Sequence, residues 1–283
     1  MSYPSNSNTN INNELYAALV TAAQFAAYEQ SVARQMVTVF DAPVNTGLNL
    51  QVPIWSSISA QLITDEAAAT AKTTNTTSAT ITLKEHVVYH QVTDQLRDSA
   101  YSNVFAQIGD QSGRAIAESI DTQVFSTFSD FTTDIGPGAG AELTVDHIFK
   151  AAATLRSRKL TGPFYAVVTP GQAYNIKKAL TATTAYTATS NVGNEILSGF
   201  YIGQIAGVQI FESALLPIDG SDDAVGAVFV PGAIGHAMRG SVELNTLYLP
   251  ANRATDVVLK AVAGATAIQT SFGVKLTADS LIN

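Results

Sequence analysis

Two alternating stretches with a polar one between them set the main constraint on this chain. Residues 48–55, LNLQVPIW, alternate apolar and polar side chains, with Pro53 suited to an edge strand. Residues 80–93 alternate again through Ile81, Leu83, Val87 and Tyr89. Between them runs TDEAAATAKTTNTTSAT, with little apolar content and no helical period. It lacks the Pro and Gly density of a plain linker, and its β-branched Thr residues favour extended backbone. The flanking strands read as arms of one long hairpin with a polar tip. A two-stranded hairpin buries too little apolar surface to hold itself in water. It needs support from outside its own chain.

The remainder is a mixed α+β order. Residues 1–13 are polar and low in complexity, a composition that is disordered when alone. Leu15, Leu19, Ala22, Ala26, Ala33 and Val37 predict a helix over 14–39, capped by Asn12 or Asn13. A long helix follows over 103–128, about 39 Å at 1.5 Å per residue. Its ridge is Val104, Ile108, Ile116, Ile120, Val124 and Phe128, interrupted at Ser112. Gly109 and Gly113 permit another backbone to approach it closely. The segment 134–142, DIGPGAGAE, reads as a linker. Beyond it, Thr144 caps a helix carrying Ile148, Ala152 and Leu155, and 164–168 is a short apolar strand. Thr169-Pro170 opens a second helix, with the cap followed by Pro at the first position. A polar loop over 181–193 and strands over 205–211 and 224–230 complete this unit. From His236 the chain is β, with strands over 242–249, 256–262 and 267–276. This tail is expected to return to the long helix and cover its apolar face.

Composition narrows the function. Charged residues are 13% of the chain against an average of ~25%, so its surface is easier to bury against neighbours. The net charge is −8 and no run of Lys or Arg occurs, which argues against tight phosphate binding. The absence of cysteine removes disulfides, thiolate metal sites and cysteine nucleophiles. No window approaches the ~18 uninterrupted apolar residues of a membrane span.

No motif assembles a catalytic or metal site. His86 and His90 are four apart, but on a strand that places them ~13 Å from each other, and packed or solvated histidines are the plainer reading. His147 sits in a first helical turn and His236 beside a Gly, neither with ligand company. Gly136, Gly138 and Gly140 have G-x-G spacing, yet they follow a helix and include Pro137, unlike a dinucleotide loop. Asp65-Glu66 and Asp222-Asp223 are adjacent pairs read as solvated charge.

The ordered set of stretches VPIWSSISAQLITDEAAA, SATITLKEHVVYHQVTDQLRDSA, GRAIAESIDTQVF, LRSRKLTGPFYAVVTPGQAYNIKKAL and YIGQIAGVQIFESALLP resembles the Hong Kong 97-type major capsid protein of tailed phages. The resemblance covers nearly the whole chain. It implies an N-terminal arm over 1–45, an extended E-loop hairpin over 46–90, a peripheral domain over 91–135 and 236–283 with the long helix as its spine, and an axial domain over 136–235. It also implies pentamers and hexamers of identical subunits that close an icosahedral shell around double-stranded DNA, without sequence-specific binding and without a membrane.

On this resemblance the candidate inter-subunit contacts are the hairpin residues Ile63, Asp65, Glu66, Lys72 and Lys84. Certain family members cross-link a hairpin Lys to a neighbour's Asn; Lys72 lies in the hairpin, although an ion pair or a solvated amine is the plainer role. The implied partners are further copies of the chain, scaffolding and portal proteins, and decoration proteins. No cofactor and no catalytic activity are implied, and Met1 favours a separate scaffold over a removed one. The implied location is the virion shell, assembled in the host cytoplasm. The alternatives are an encapsulin-type nanocompartment shell, another phage structural protein, and an α+β enzyme.

Overall fold

A computed structural model of the chain describes residues 19, 21–23, 32–43, 47–63, 65, 68–99, 103–182 and 204–281. In chain order the elements are α1 (Ala33–Met36), β1 (Thr38–Asp41), β2 (Asn49–Trp55), β3 (Thr76–Thr82), β4 (Lys84–Thr93), α2 (Asp94–Ser99), α3 (Asn103–Ser126), α4 (Val145–Ser157), β5 (Phe164–Val168), α5 (Pro170–Ala182), β6 (Gln204–Ile205), β7 (Val208–Glu212), β8 (Asp223–Phe229), β9 (Ile234–Leu249), β10 (Ala254–Ala267) and β11 (Gly273–Asp279). They form a four-stranded sheet β1-β9-β10-β4, a five-stranded sheet β11-β8-β5-β7-β6, and the separate hairpin β2-β3.

Helix α3 is the spine. Ile116, Ile120 and Val124 are buried as its ridge predicts. Ile116 and Ile120 pack with Val92, Met238, Val242, Val257, Leu259, Ala261 and Ala263 of the four-stranded sheet. Leu19 and Ala23 join the same cluster. They cross α3 at Gly109 and Gly113, where a methyl group would run into their backbone atoms.

The C-terminal end of α3 belongs to a second core. Phe125, Phe128, Phe131 and Phe229 cluster there, with Phe128 centred 5.4 Å from Phe229 and 5.6 Å from Phe125 in tilted ring contacts. This aromatic cluster covers one face of the five-stranded sheet. Helices α4 and α5 cover the other with Ile148, Ala152, Leu155, Ala173 and Ile176.

Local chemistry explains the axial helices. The Thr144 N–H donates to His147 Nδ1 at 3.2 Å, so His147 completes a helix start. At α5, Thr169 Oγ1 accepts the Gln172 N–H while Gln172 Oε1 accepts the Thr169 N–H, a reciprocal cap in front of Pro170. Gln172 then donates its amide to the carbonyls of Ala224 and Ala278, tying α5 to β8 and β11. The glycine-rich segment after α3 is fastened to β11, with Ile135 N–H on Lys275 O and Gly138 N–H on Thr277 O. Gly136 lies against the Thr277 backbone, and Gly138 and Gly140 take positive φ.

Several sequence expectations change. The helix expected over 14–39 does not reach its end: Thr38–Asp41 is a strand parallel to β9. The run Val37-Thr38-Val39-Phe40 is β-forming, and Asp121 Oδ2 accepts the Val32 N–H at 3.0 Å, where the short α1 begins. The second arm of the hairpin is two strands. β3 pairs with β2, whereas β4 pairs antiparallel with β10. The pleat changes phase between them, so Ile81 and Leu83 face inward but Val87 and Tyr89 face outward. The inward set of β4 is His86, Val88, His90 and Val92. Asp223 is buried and accepts the Gly140 N–H at 2.7 Å; it is not a solvated charge. The C-terminal segment also divides: β9 and β10 cover α3, while β11 pairs with β8 in the other sheet. The loop expected over 181–193 lies outside the described residues beyond Ala182, where α5 ends.

The chain passes between the two sheets at 230–233 and again at 268–272. The passages are bonded to each other: Val230 N–H donates to Phe272 O, and the N–H groups of Ile268 and Gln269 donate to Ala233 O.

Candidate assembly surface

The hairpin has a footing and a free end. Its foot is a small core of its own, in which Ile81, Leu83, Leu50 and Val52 pack on Ala42, Phe40, Ala237 and Val262. This core lies on the face of the four-stranded sheet away from the spine. Gly264 has no room for a side chain beneath Thr82, so the hairpin crosses the sheet backbone to backbone. Arg239 donates to the carbonyl of Gly47 at the entry to the hairpin.

Beyond Trp55 and Thr76 the ladder stops, but the register does not. Asn49 faces Thr82 and Trp55 faces Thr76 in the sheet. Side chains continue the same pairing outward. Ser56 faces Asn75, with N–H to carbonyl at 3.1 Å and Asn75 N–H to Ser56 Oγ at 3.2 Å. Lys72 Nζ donates to Ser59 Oγ at 2.9 Å, and Thr70 N–H donates to Gln61 Oε1 at 3.2 Å. Hydroxyl and amide side chains thus replace the backbone ladder, which is why the tip keeps a hairpin course without an apolar core of its own.

Of the residues singled out in the sequence, Ile63, Asp65 and Lys72 are at this free end, all exposed. Glu66 lies outside the described residues. Lys84 is elsewhere, at the hairpin foot, where it borders a groove of about 460 Å³ with Thr80, Thr82, Gln123, Asp130 and Thr266. The structure therefore separates Lys84 from the other three described candidates.

The sequence reading passed over Trp55, Ile58 and Leu62. Trp55 is 66% exposed, Ile58 60% and Leu62 fully exposed. The available signal was the presence of large apolar residues in PIWSSISAQLI with no helical period to bury them. Exposed apolar side chains concentrated on one projecting element mark an interaction surface.

The inward face of β4 is polar where it meets the spine. His86 Nδ1 lies 2.7 Å from Ser119 Oγ and its Nε2 lies 3.0 Å from Gln123 Oε1. His90 Nε2 lies 2.9 Å from Ser112 Oγ, the residue that interrupts the apolar ridge of α3. Burial lowers the pKa of His86, against the raising effect of its Gln123 bond, and Lys84 lowers it further. His236, on β9, is buried and pushed down to about 4, first by burial and then by the Arg34 charge. Among the described residues no group of three or more His, Cys, Asp or Glu could hold a metal ion, and no helix is long and apolar enough to cross a membrane.

Solved structures with the same arrangement include phage heads and capsids. The head structure of Helicobacter pylori bacteriophage KHP40 matches with a TM-score of 0.68 at 12% identity, over 89% of this chain and 91% of that one. The capsid of cyanophage P-SCSP1u matches with 0.65 at 17% identity over 86% of each chain. Mycobacterium phage Che8 matches with 0.64 at 18% identity, over 82% and 85%. The fold is thus the Hong Kong 97-type capsid fold. No curated protein sequence matches the chain. The family model described as phage capsid protein matches residues 76–276, from β3 to β11. The chain belongs to that phage capsid protein family.

Proposed function

We propose that the chain is a non-enzymatic shell subunit that assembles with further copies of itself, and that the hairpin is the element that joins one copy to the next. The observation that carries this reading is the free end of the hairpin. It bears Trp55, Ile58, Leu62 and Ile63 with no covering element among the described residues, and its own core is confined to the foot. Exposure of such residues is unfavourable in an isolated subunit and is relieved against a neighbour.

In this reading the segment up to about residue 45 is the N-terminal arm and β2-β3 with its tip is the E-loop. The peripheral domain is α3 with the four-stranded sheet, and the axial domain is the five-stranded sheet with α4 and α5. Pentamers and hexamers then close a shell, in which many weak contacts act together. Ile63, Asp65, Glu66 and Lys72 belong to the joining surface, and Lys84 to its footing. Portal, scaffolding and decoration proteins are the further partners, DNA is enclosed without sequence readout, and assembly takes place in the host cytoplasm. The low charge of the chain and its −8 balance are in keeping with a wall that does not hold on to nucleic acid.

The test replaces residues 62–69 by a two-residue Asn-Gly turn, keeping Gln61 and Thr70 as the facing pair. The shortened chain is expected to fold and to yield no stable shells by electron microscopy. Shells of normal yield and stability from it would overturn the assignment of the hairpin.

A further inference from the structure

An open sheet has two edges, and a long bare edge is a template for pairing with another chain. In the five-stranded sheet the β11 edge is covered by the segment after the spine. Ile135 and Gly138 donate their N–H groups to the carbonyls of Lys275 and Thr277, and Lys275 and Asp279 donate to those of Thr133 and Ala141. At the other end of that sheet β6 is only two residues long. In the four-stranded sheet the edge strand β1 has four residues. The opposite edge strand, β4, has ten. It pairs with β10 on one side, and on the other its backbone makes no hydrogen bond among the described residues.

The usual devices that keep an edge single are missing from β4. Its register with β10 runs unbroken from Lys84 to Thr93, without a bulge. It contains no Pro, and after Glu85 it has no Asp, Glu, Lys or Arg. Val87 and Tyr89 are exposed on the face away from the spine. A bare strand of this kind is an aggregation hazard unless the working assembly pairs it.

The strand itself indicates its partner. About Val88 its sequence is nearly the same in both directions: Val87 and Tyr89, His86 and His90, and Glu85 and Gln91 stand at equal distances from it. On an antiparallel second copy with Val88 opposite Val88, Val87 faces Tyr89 of that copy and Tyr89 faces its Val87. Pairs of a β-branched and an aromatic residue are among the favourable cross-strand pairs. Glu85 faces Gln91, so no like charges meet. On the inner face His86 meets His90, each held by its own spine helix through Ser119, Gln123 and Ser112. Centring on Val87 sets Glu85 against Tyr89, and centring on Tyr89 sets Gln91 against Val87. A slip of one residue sets outward side chains against inward ones. The register on Val88 is the self-complementary one.

We propose that β4 is the seam of a two-fold contact, in which two copies of the chain pair their β4 strands antiparallel about Val88 and join their four-stranded sheets into one. The inference rests on the reading of the chain as a shell subunit. It adds an isologous joint to the joint made by the hairpin.

The chain has no cysteine, so introduced cysteines report on the seam without background. Shells of Val88→Cys are oxidised mildly and run unreduced. Directly opposite residues have Cα atoms about 4.5–5.5 Å apart, within disulfide reach, and a covalent dimer is expected in most of the chain. Val87→Cys alone is expected to give almost none, because two copies of residue 87 are then diagonal at about 7–8 Å. Mixed with Tyr89→Cys before assembly, it is expected to cross-link. Absence of the Val88 dimer from well-formed shells overturns the seam, and so does equal cross-linking by Val87→Cys alone and by the mixture. Cross-linking of Val88→Cys to Ser78→Cys of another copy, in place of the Val88 dimer, gives the edge to a neighbour's hairpin and also overturns it. If the cysteine variants do not assemble, hydrogen exchange on the wild-type chain decides. About half of the amides of peptide 84–93 are expected to gain protection on assembly, and no gain overturns the seam. Failure of the wild-type chain to form shells with its scaffold would instead overturn the shell reading, and the Val88 disulfide on the concentrated free chain would still test the seam.

Discussion

His90 Nε2 sits 2.9 Å from the hydroxyl oxygen of Ser112, and that hydroxyl spends its proton on the carbonyl of Ile108. A gap in the apolar ridge of a long helix is thus filled by a hydrogen bond from the sheet it carries. Ser112 is buried at 1% exposure, so its removal leaves the His90 N–H without a partner. Ser112→Ala is expected to destabilise the subunit by about 1–3 kcal/mol. Urea unfolding checks it; a midpoint at the wild-type value would mean that the pair contributes nothing.

Gly113 is the second test of the spine. In an exposed helix Gly→Ala stabilises by about 1 kcal/mol. Here the added methyl group runs into the backbone of Ala23, which cannot move without moving the segment around it. Gly113→Ala is expected to lower stability by about 1–3 kcal/mol instead. Thermal unfolding gives the sign, and a rise in melting temperature would refute the crossing.

The pH dependence of the subunit follows from His236. Its folded pKa is about 4 against 6.5 for the free side chain, so the unfolded chain binds more protons between these values. Stability from this group is fully present above pH 6.5 and is lost as pH falls toward 4. The loss at pH 4 is about 3 kcal/mol relative to neutral pH. Chemical unfolding at pH 7.5, 6.0 and 4.5 checks it, with His236→Gln as the reference. Equal acid losses in the two proteins would remove His236 as a cause.

How much of this was legible in advance is clearest at particular residues. The spine helix, the Thr144 and Thr169 caps and the strand at 164–168 rest on local signals, and local signals survive folding. The hairpin was visible as two alternating arms around a Thr-rich span, but its register was not. Pairing Gln61 with Thr70 depends on side-chain amides and hydroxyls that carry no period. The outward turn of Val87 and Tyr89 was missed because the pleat shifts phase at Leu83, and a sequence shows alternation without showing which face is inside. Asp223 looked like one of a solvated pair; its burial depends on Gly140, far away in the chain. The division of β10 and β11 between two sheets is a tertiary choice with no mark on either strand.

Ile58 and Leu62 offer the cleanest separation of folding from assembly. Both are exposed and neither belongs to a core cluster, so Ile58→Ser with Leu62→Ser is expected to leave unfolding within about 0.5 kcal/mol of wild type. Shell yield is expected to fall. Sedimentation after assembly measures it, and an unchanged yield would show that the tip meets its neighbour through other side chains.

The paired passages at 230–233 and 268–272 have a mechanical meaning. Two covalent strands run side by side between the sheets and are cross-bonded at Val230 with Phe272 and at Ala233 with Ile268 and Gln269. Neither passage can move away from the other without breaking these backbone hydrogen bonds. The two sheets of the subunit are thereby joined by a linked pair of connections instead of two independent ones.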